Sequence, residues 1–180
     1  VRVLFPPSLP ILKRWTRDRF RSHYIIMDSI SKLVQPEAHT VGILMEIWES
    51  SVRATHDLLS EKEINNLRPL VEQQILKMEA LYCIEDPRGR IQAFMGVARN
   101  KIEMLFVDAA DRGKGLGKKL TEYAIRGLNI QFVDVNEQNR GGLGFYEHLG
   151  FRVVARSSRD EVGLSHPILF IRLPQPGATL

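Results

Sequence analysis

The sequence predicts an α/β (α+β) fold, one mixed sheet with helices packed against it. Three observations carry that prediction. Val41, Leu44, Met45, Trp48 and Val52 recur at helical spacing and share one face. Residues 82–107 hold three apolar runs separated by short polar turns, the pattern of antiparallel neighbours. Residues 102–149 then read strand, glycine-rich turn, helix, strand, polar turn, helix.

The elements follow in order. A first strand is read near 29–34, then the amphipathic helix from about Glu37 to Thr55. Ser60-Glu61-Lys62-Glu63 is a capping box, serine at the N-cap with glutamate three residues on, and it opens a second helix. Pro69 lacks the amide proton that a helix interior uses, so it is expected to interrupt or restart that helix. Residues 82–85 and 91–97 are strands joined by the turn Asp86-Pro87-Arg88-Gly89, with 102–107 as the next antiparallel neighbour. In the helix 115–127, Leu116, Leu120, Ala124 and Leu128 share a face with Tyr123 beside them. Strand 131–136, helix 141–149 and strands 151–156 and 168–173 complete the chain. The polar connection 157–167 holds Gly163 and Pro167. Strand 168–173 is read as an exposed edge, where a homodimer would pair.

The chemistry is concentrated in Arg112-Gly113-Lys114-Gly115-Leu116-Gly117, between a strand and a helix N-terminus. Glycines let the backbone approach an anion, and the first free amides of the helix point at it with help from the dipole. The P-loop spacing is absent, and Gly-x-Gly-x-x-Gly fails from Gly113, which reaches Lys118, and from Gly115, which reaches Leu120. What remains is Arg-x-x-Gly-x-Gly. This pattern resembles the acetyl-CoA pyrophosphate loop of the GNAT acyltransferase superfamily. An ordinary glycine turn capping a core helix fits the hexapeptide equally well. A second motif separates the two. Strand 131–136 is followed by Glu137-Gln138-Asn139-Arg140 and by Phe145-Tyr146-Glu147-His148-Leu149-Gly150-Phe151. Asparagine, then Phe-Tyr, then Gly-Phe resembles what GNAT proteins carry just after the phosphate loop.

A narrower resemblance is to a YjaB-like subgroup of bacterial N-acetyltransferases. It rests on Ser51-Val52-Arg53-Ala54-Thr55-His56-Asp57-Leu58-Leu59, Val135-Asn136-Glu137-Gln138-Asn139 and Ser165-His166-Pro167-Ile168-Leu169. The likeness spans about residues 40–173. Where the subgroup carries an alanine, this chain has Gly142-Leu143-Gly144. Two glycines at about 1 kcal/mol each in a helix interior are expected to start the Tyr146 helix late or leave it mobile. The family implies a GNAT-like, mostly antiparallel sheet of about six to seven strands, splayed between strands four and five and flanked by about four helices. The pantetheine arm of acetyl-CoA enters that split.

The resemblance also implies site residues. Leu105, Phe106 and Val107 pair with the pantetheine, and an amide near Val107 stabilises the oxyanion. Arg112, Gly113, Lys114, Gly115, Leu116, Gly117 and Lys118 surround the pyrophosphate or the ribose 3′-phosphate. Asn139 meets the pantetheine arm or the turn, and Tyr146 lies near the thioester sulfur. A phenol with pKa near 10 is matched to a departing thiolate, which makes Tyr146 the general acid. Glu103 stands where many family members carry a basic carboxylate. His56, a neutral imidazole of suitable pKa, is the runner-up, and a water chain is the third option. Phe145 is the core aromatic of the pair. Lys118 with Lys119 also fits a solvated helix face. The acceptor amine is a small molecule or a peptide. Helix 37–55, its turn 56–59 and the loop 157–167 are expected to line its site. A non-catalytic acyl-CoA-binding module of the same fold is the alternative.

Bulk properties narrow the rest. The chain of 180 residues suits one domain, and no apolar run is long enough to span a bilayer. Its single cysteine, Cys83, excludes an internal disulfide and, in an apolar strand, reads as a buried thiol. No His/Cys spacing suits a metal. A cytoplasmic setting is expected. Arg2, Lys13, Arg14, Arg17, Arg19 and Arg21 face only Asp18 in residues 1–26, a net +5 in a chain of +4, so residues 27–180 carry −1. Basic charge is therefore no property of the domain, and neither a nucleic acid nor a membrane is an expected partner. Residues 1–26 are read as a basic extension outside the fold, and 27–180 as the acetyltransferase domain.

Overall fold

A computed structural model describes residues 30–55, 60–158 and 167–174. The basic extension, His56 and most of the connection 157–167 lie outside the described residues. The elements run β1 (Ile30–Leu33), α1 (Ala38–Thr55), α2 (Glu61–Lys77), β2 (Ala80–Glu85), β3 (Ile91–Ala98), β4 (Lys101–Val107), a 3-10 turn (Ala109–Asp111), α3 (Leu116–Leu128), β5 (Phe132–Asn136), α4 (Arg140–His148), β6 (Arg152–Ser157) and β7 (Ile168–Arg172). One sheet holds seven strands in the order β1-β2-β3-β4-β5-β7-β6. Among the described residues only β4 and β5 pair in parallel.

Each face of the sheet has its own core. On one face the α1 stripe Val41, Leu44, Met45, Trp48 and Val52 is buried, with Ile64 and Ile75 of α2, against Cys83, Phe94 and Met104. On the other, Leu116, Leu120 and Ala124 of α3 and Tyr146 of α4 pack with Tyr82, Met95, Val133 and Ile171. The 3.6-residue period of both helices supplies the stripes. Ser60 accepts from the Glu63 amide while the Glu63 carboxylate accepts from the Ser60 amide, and this reciprocal cap starts α2.

Three expectations are corrected. Helix α2 runs from Glu61 to Lys77 through exposed Pro69 without a restart, its ends set by the Ser60 cap and by burial of Ile64 and Ile75. Helix α4 does not start late. Asn139 caps it by accepting from the Gly142 amide at 2.8 Å, so the first turn forms despite its glycines. Strand β7 is no edge: it pairs with β5 along 168–172 on one side and with β6 on the other. Burial of Leu169 and Ile171 explains its central place, since their face is part of the core. The edges are β1 and β6, so the argument for a dimer through 168–173 falls.

Candidate active site

The parallel pair holds together only at its start. Lys101 is registered with Phe132 and Ile102 with Val133, and no pair follows. Beyond Ile102 the two strands part, which is the split expected between strands four and five. Asp108 donates its amide to the Gln92 carbonyl on β3 at 2.9 Å. Successive strand amides alternate in direction, so those of Val107 and Leu105 turn away from β3 and into the split. The split opens into a cavity of about 690 Å³ whose lining includes Ser51, Leu105, Arg112, Asn139 and Tyr146. A smaller cavity of about 320 Å³ shares Arg112 and Phe145 with it and is lined by Gly113, Gly115, Gly117 and Lys118.

The glycine loop is built to leave amides free. Gly113 and Gly115 have φ of 77° and 78°, the left-handed region where a Cβ is strained. Gly115 is the N-cap of α3 and contributes no side-chain hydrogen bond. The amide of Lys119 is the first that finds a helix acceptor, the Gly115 carbonyl at 3.0 Å. The amides of Leu116, Gly117 and Lys118 precede it and have no acceptor within the helix. Free donors, a helix dipole and an adjoining cavity fit the pyrophosphate of a coenzyme.

Two cations of the loop are engaged by the protein itself. Arg112 donates to the Ala54 carbonyl at 2.9 Å, near the end of α1, and Lys114 donates to Asp111 at 2.6 Å. Asp111 is 1% exposed. Burial pushes its carboxyl up, but hydrogen bonds from Lys114, Arg90 and Gln92 outweigh burial and hold it below the usual aspartate value. Lys118 remains exposed on the first turn of α3.

Tyr146 is buried and lines the split, its ring edge-on to Phe145 and Phe151 at 4.9 and 5.5 Å between centroids. Burial raises its phenol well above the ordinary value. The expectation that Phe145 is the core aromatic of the pair is corrected: Tyr146 is the buried member, because its ring faces Phe151 and the core. Phe145 is only partly buried and reaches both cavities. Asn139 lines the split as well as capping α4.

Glu103 is placed by an irregularity in β4. Met104 is opposite Gly96 and Ile102 opposite Val97, so Glu103 is the extra residue of a bulge. It lines a separate groove of about 780 Å³ with Lys101, Asp134, Phe132 and Phe170. Lys101 joins Glu103 at 3.0 Å and Asp134 at 2.6 Å. Burial lowers the Lys101 pKa, yet the bonds to Asp134 and Glu103 outweigh that and raise it overall. Asp134 lines both the groove and the split. Sequence reasoning passed it over as one polar residue of an alternating strand. The bulge that turns Glu103 into the groove has no sequence signature. Cys83, on β2, is fully buried, and burial pushes its thiol to about 11, so it is an inert core group.

A split parallel pair, a glycine loop with free helix amides beside it and a buried phenol in the split fit the arrangement expected of a coenzyme A acyltransferase. Comparison with known proteins agrees. The family model described as the acetyltransferase (GNAT) domain matches residues 59–167. Peptidyl-lysine N-acetyltransferase YjaB of Salmonella typhimurium is 35% identical over 131 residues, 73% of this chain and 90% of that protein. The Escherichia coli protein of the same name is 36% identical over 126 residues, 70% of this chain and 85% of its own. The solution structure of the apo form of Escherichia coli YjaB matches with a TM-score of 0.71 at 32% identity, covering 80% of this chain and 97% of that one. The coenzyme A complex of the PaiA N-acetyltransferase from Thermoplasma acidophilum shares the fold, with a TM-score of 0.57 at 20% identity, over 79% of this chain and 98% of that one. The chain belongs to the GNAT acetyltransferase family. It is an acetyl-CoA-dependent N-acetyltransferase rather than a binding module.

Proposed function

We propose that the enzyme acetylates the side-chain amine of a peptidyl lysine by direct transfer within a ternary complex, in the cytoplasm. Acetyl-CoA supplies an acetyl group as a thioester. The glycine loop holds its phosphates through the amides of Leu116, Gly117 and Lys118, and the Leu105 and Val107 amides face the arm that enters the split. Val107 then donates a hydrogen bond to the oxygen that gains negative charge, an effect typically worth about 10²–10³ in rate. Tyr146 protonates the departing thiolate. The acceptor enters by the groove, where Phe132 and Phe170 suit the methylenes of a lysine and its amine displaces Lys101 from Glu103. Glu103 takes the proton that the amine must lose before attack. His56 is kept as the other candidate base. The lysine acceptor rests on the printed activity of the YjaB relatives.

The observation that carries this reading is the split between β4 and β5, with free helix amides at one end and the Tyr146 phenol inside. Isothermal titration of acetyl-CoA and CoA tests it, with Gly115→Glu as the control that puts bulk and negative charge into the cradle. The wild type is expected to bind at micromolar Kd and the variant to lose binding. Release of CoA thiol with lysyl peptides then identifies the acceptor. Absence of binding by the wild type defeats the proposal.

A further inference from the structure

The one buried carboxylate among the described residues is Asp111, and no step of the transfer uses it. It stands immediately before the glycine loop and receives three side chains from two directions. Gln92 of β3 donates to Oδ1 at 2.7 Å, Arg90 beside β3 donates to Oδ2 at 2.7 Å, and Lys114 from within the loop donates to Oδ1 at 2.6 Å. Arg90 also joins Asp108 at 3.3 Å and Asp86 at 3.4 Å. Asp108 in turn caps the 3-10 turn through the Ala110 amide at 3.0 Å and accepts from Ser50 of α1 at 3.1 Å. Ser50 accepts from the Ala109 amide at 3.0 Å. The chain leading into the cradle is thus tied to the β2–β3 turn, to β3 and to α1.

A buried charge pair is a poor source of stability, because desolvation offsets the attraction. Its value lies in geometry, since every partner must be present and aligned. The loop needs such support. Gly113 and Gly115 lack a Cβ and have many accessible backbone conformations, so their left-handed conformations are useful only if something selects them. Lys114 lies between them, so fixing its ammonium constrains both.

We infer that Asp111 is a positioning residue for the phosphate cradle, presetting the loop through Lys114, Arg90 and Gln92 so that the α3 amides face the anion before it arrives. This rests on the cofactor reading of the loop given above. Preorganisation of this kind acts on ligand affinity by sparing the ligand the ordering of the loop. It acts only on ligands that carry phosphate.

The test compares wild type, Asp111→Asn and Gln92→Leu at a temperature where circular dichroism shows each folded. CoA affinity is measured by isothermal titration. Steady-state kinetics are run with acetyl-CoA and with S-acetylpantetheine, a donor without phosphates. For Asp111→Asn the expected result is a CoA Kd and an acetyl-CoA KM at least tenfold higher. Its kcat, its acceptor KM and its kcat/KM with S-acetylpantetheine should stay within about twofold. A folded Asp111→Asn that binds CoA as tightly as the wild type overturns the inference. So does an equal loss with S-acetylpantetheine, which marks a general structural defect. If Asp111→Asn does not fold, Gln92→Leu decides. A CoA Kd raised threefold or more supports the inference, and an unchanged one overturns it. A wild type that fails to bind CoA removes the cofactor reading and this inference together, an outcome distinct from failure of the variants alone.

Discussion

At the residue scale the proposed chemistry turns on protons, and the proton-donor role proposed for Tyr146 is open to test. The proposed acid has to carry its proton at neutral pH while inside the split. A phenol stays neutral there, and burial raises the Tyr146 value further. Its raised folded pKa means that any stability it contributes is present below the ordinary phenol value near 10 and is lost as pH rises through the folded value. The phenol therefore keeps its proton through the neutral and mildly alkaline range. Tyr146→Phe keeps the ring contacts with Phe145 and Phe151 and removes only the hydroxyl. Turnover is expected to fall by roughly 10²–10⁴, the range of a positioned acid, with CoA Kd unchanged within about threefold. Stopped-time thiol release and titration calorimetry separate the two quantities. A variant with wild-type kcat at all pH values below 9 would show that some other group protonates the leaving thiolate.

At the scale of elements, the strand–loop–helix unit from β4 to α3 concentrates the function, and its glycines are not equivalent. Gly115 has φ of 78° and nothing within 4 Å of a built Cβ. Gly115→Ala therefore adds backbone strain alone, about 1–2 kcal/mol. Gly117 lies in helical conformation, and a Cβ there meets Phe145 Cζ at an ordinary 3.6 Å. Gly117→Ala is expected to be neutral or slightly stabilising, because alanine is the better helix former. Urea denaturation of both variants should rank them in that order, and the opposite ranking would contradict this loop conformation. The same unit shows how far the sequence could be read. The strand, loop and helix were legible because a 3.6-residue period, a run of apolar residues and a glycine spacing are all local signals. The side-chain ties of Arg112 and Lys114 were not, since Ala54 and Asp111 come to them through the fold. Pro69 and the glycines of α4 misled for a related reason: propensity yields to a buried stripe or a good cap. The place of β7 between β5 and β6 depends on which face of the strand is buried, a tertiary choice that its sequence order conceals.

At the scale of the whole molecule, the split belongs to neither core alone. Phe106 packs with the α1 and α2 side, Leu105 and Val107 with the α3 and α4 side, and β5 joins β4 by two residue pairs. Beyond those pairs, the proposed site has the ligand itself span the gap, meeting β4, the loop and α4 at once. Binding to the folded state alone stabilises it by mass action, about 2.7 kcal/mol at a ligand concentration of 100 Kd. For a domain of this size that corresponds to roughly 5–11 °C in Tm. Thermal unfolding with CoA at 100 times its measured Kd should show that shift. The elements proposed to hold the coenzyme all lie within residues 38–148, and the excess positive charge lies in residues 1–26. A chain of residues 27–180 is therefore expected to give the same shift and the same Kd as the full chain. A truncated chain that unfolds without a cooperative transition, or binds CoA tenfold more weakly, would make the basic extension part of the working domain. Equal shifts in both would confine the binding energy to the sheet, its loop and its two cores.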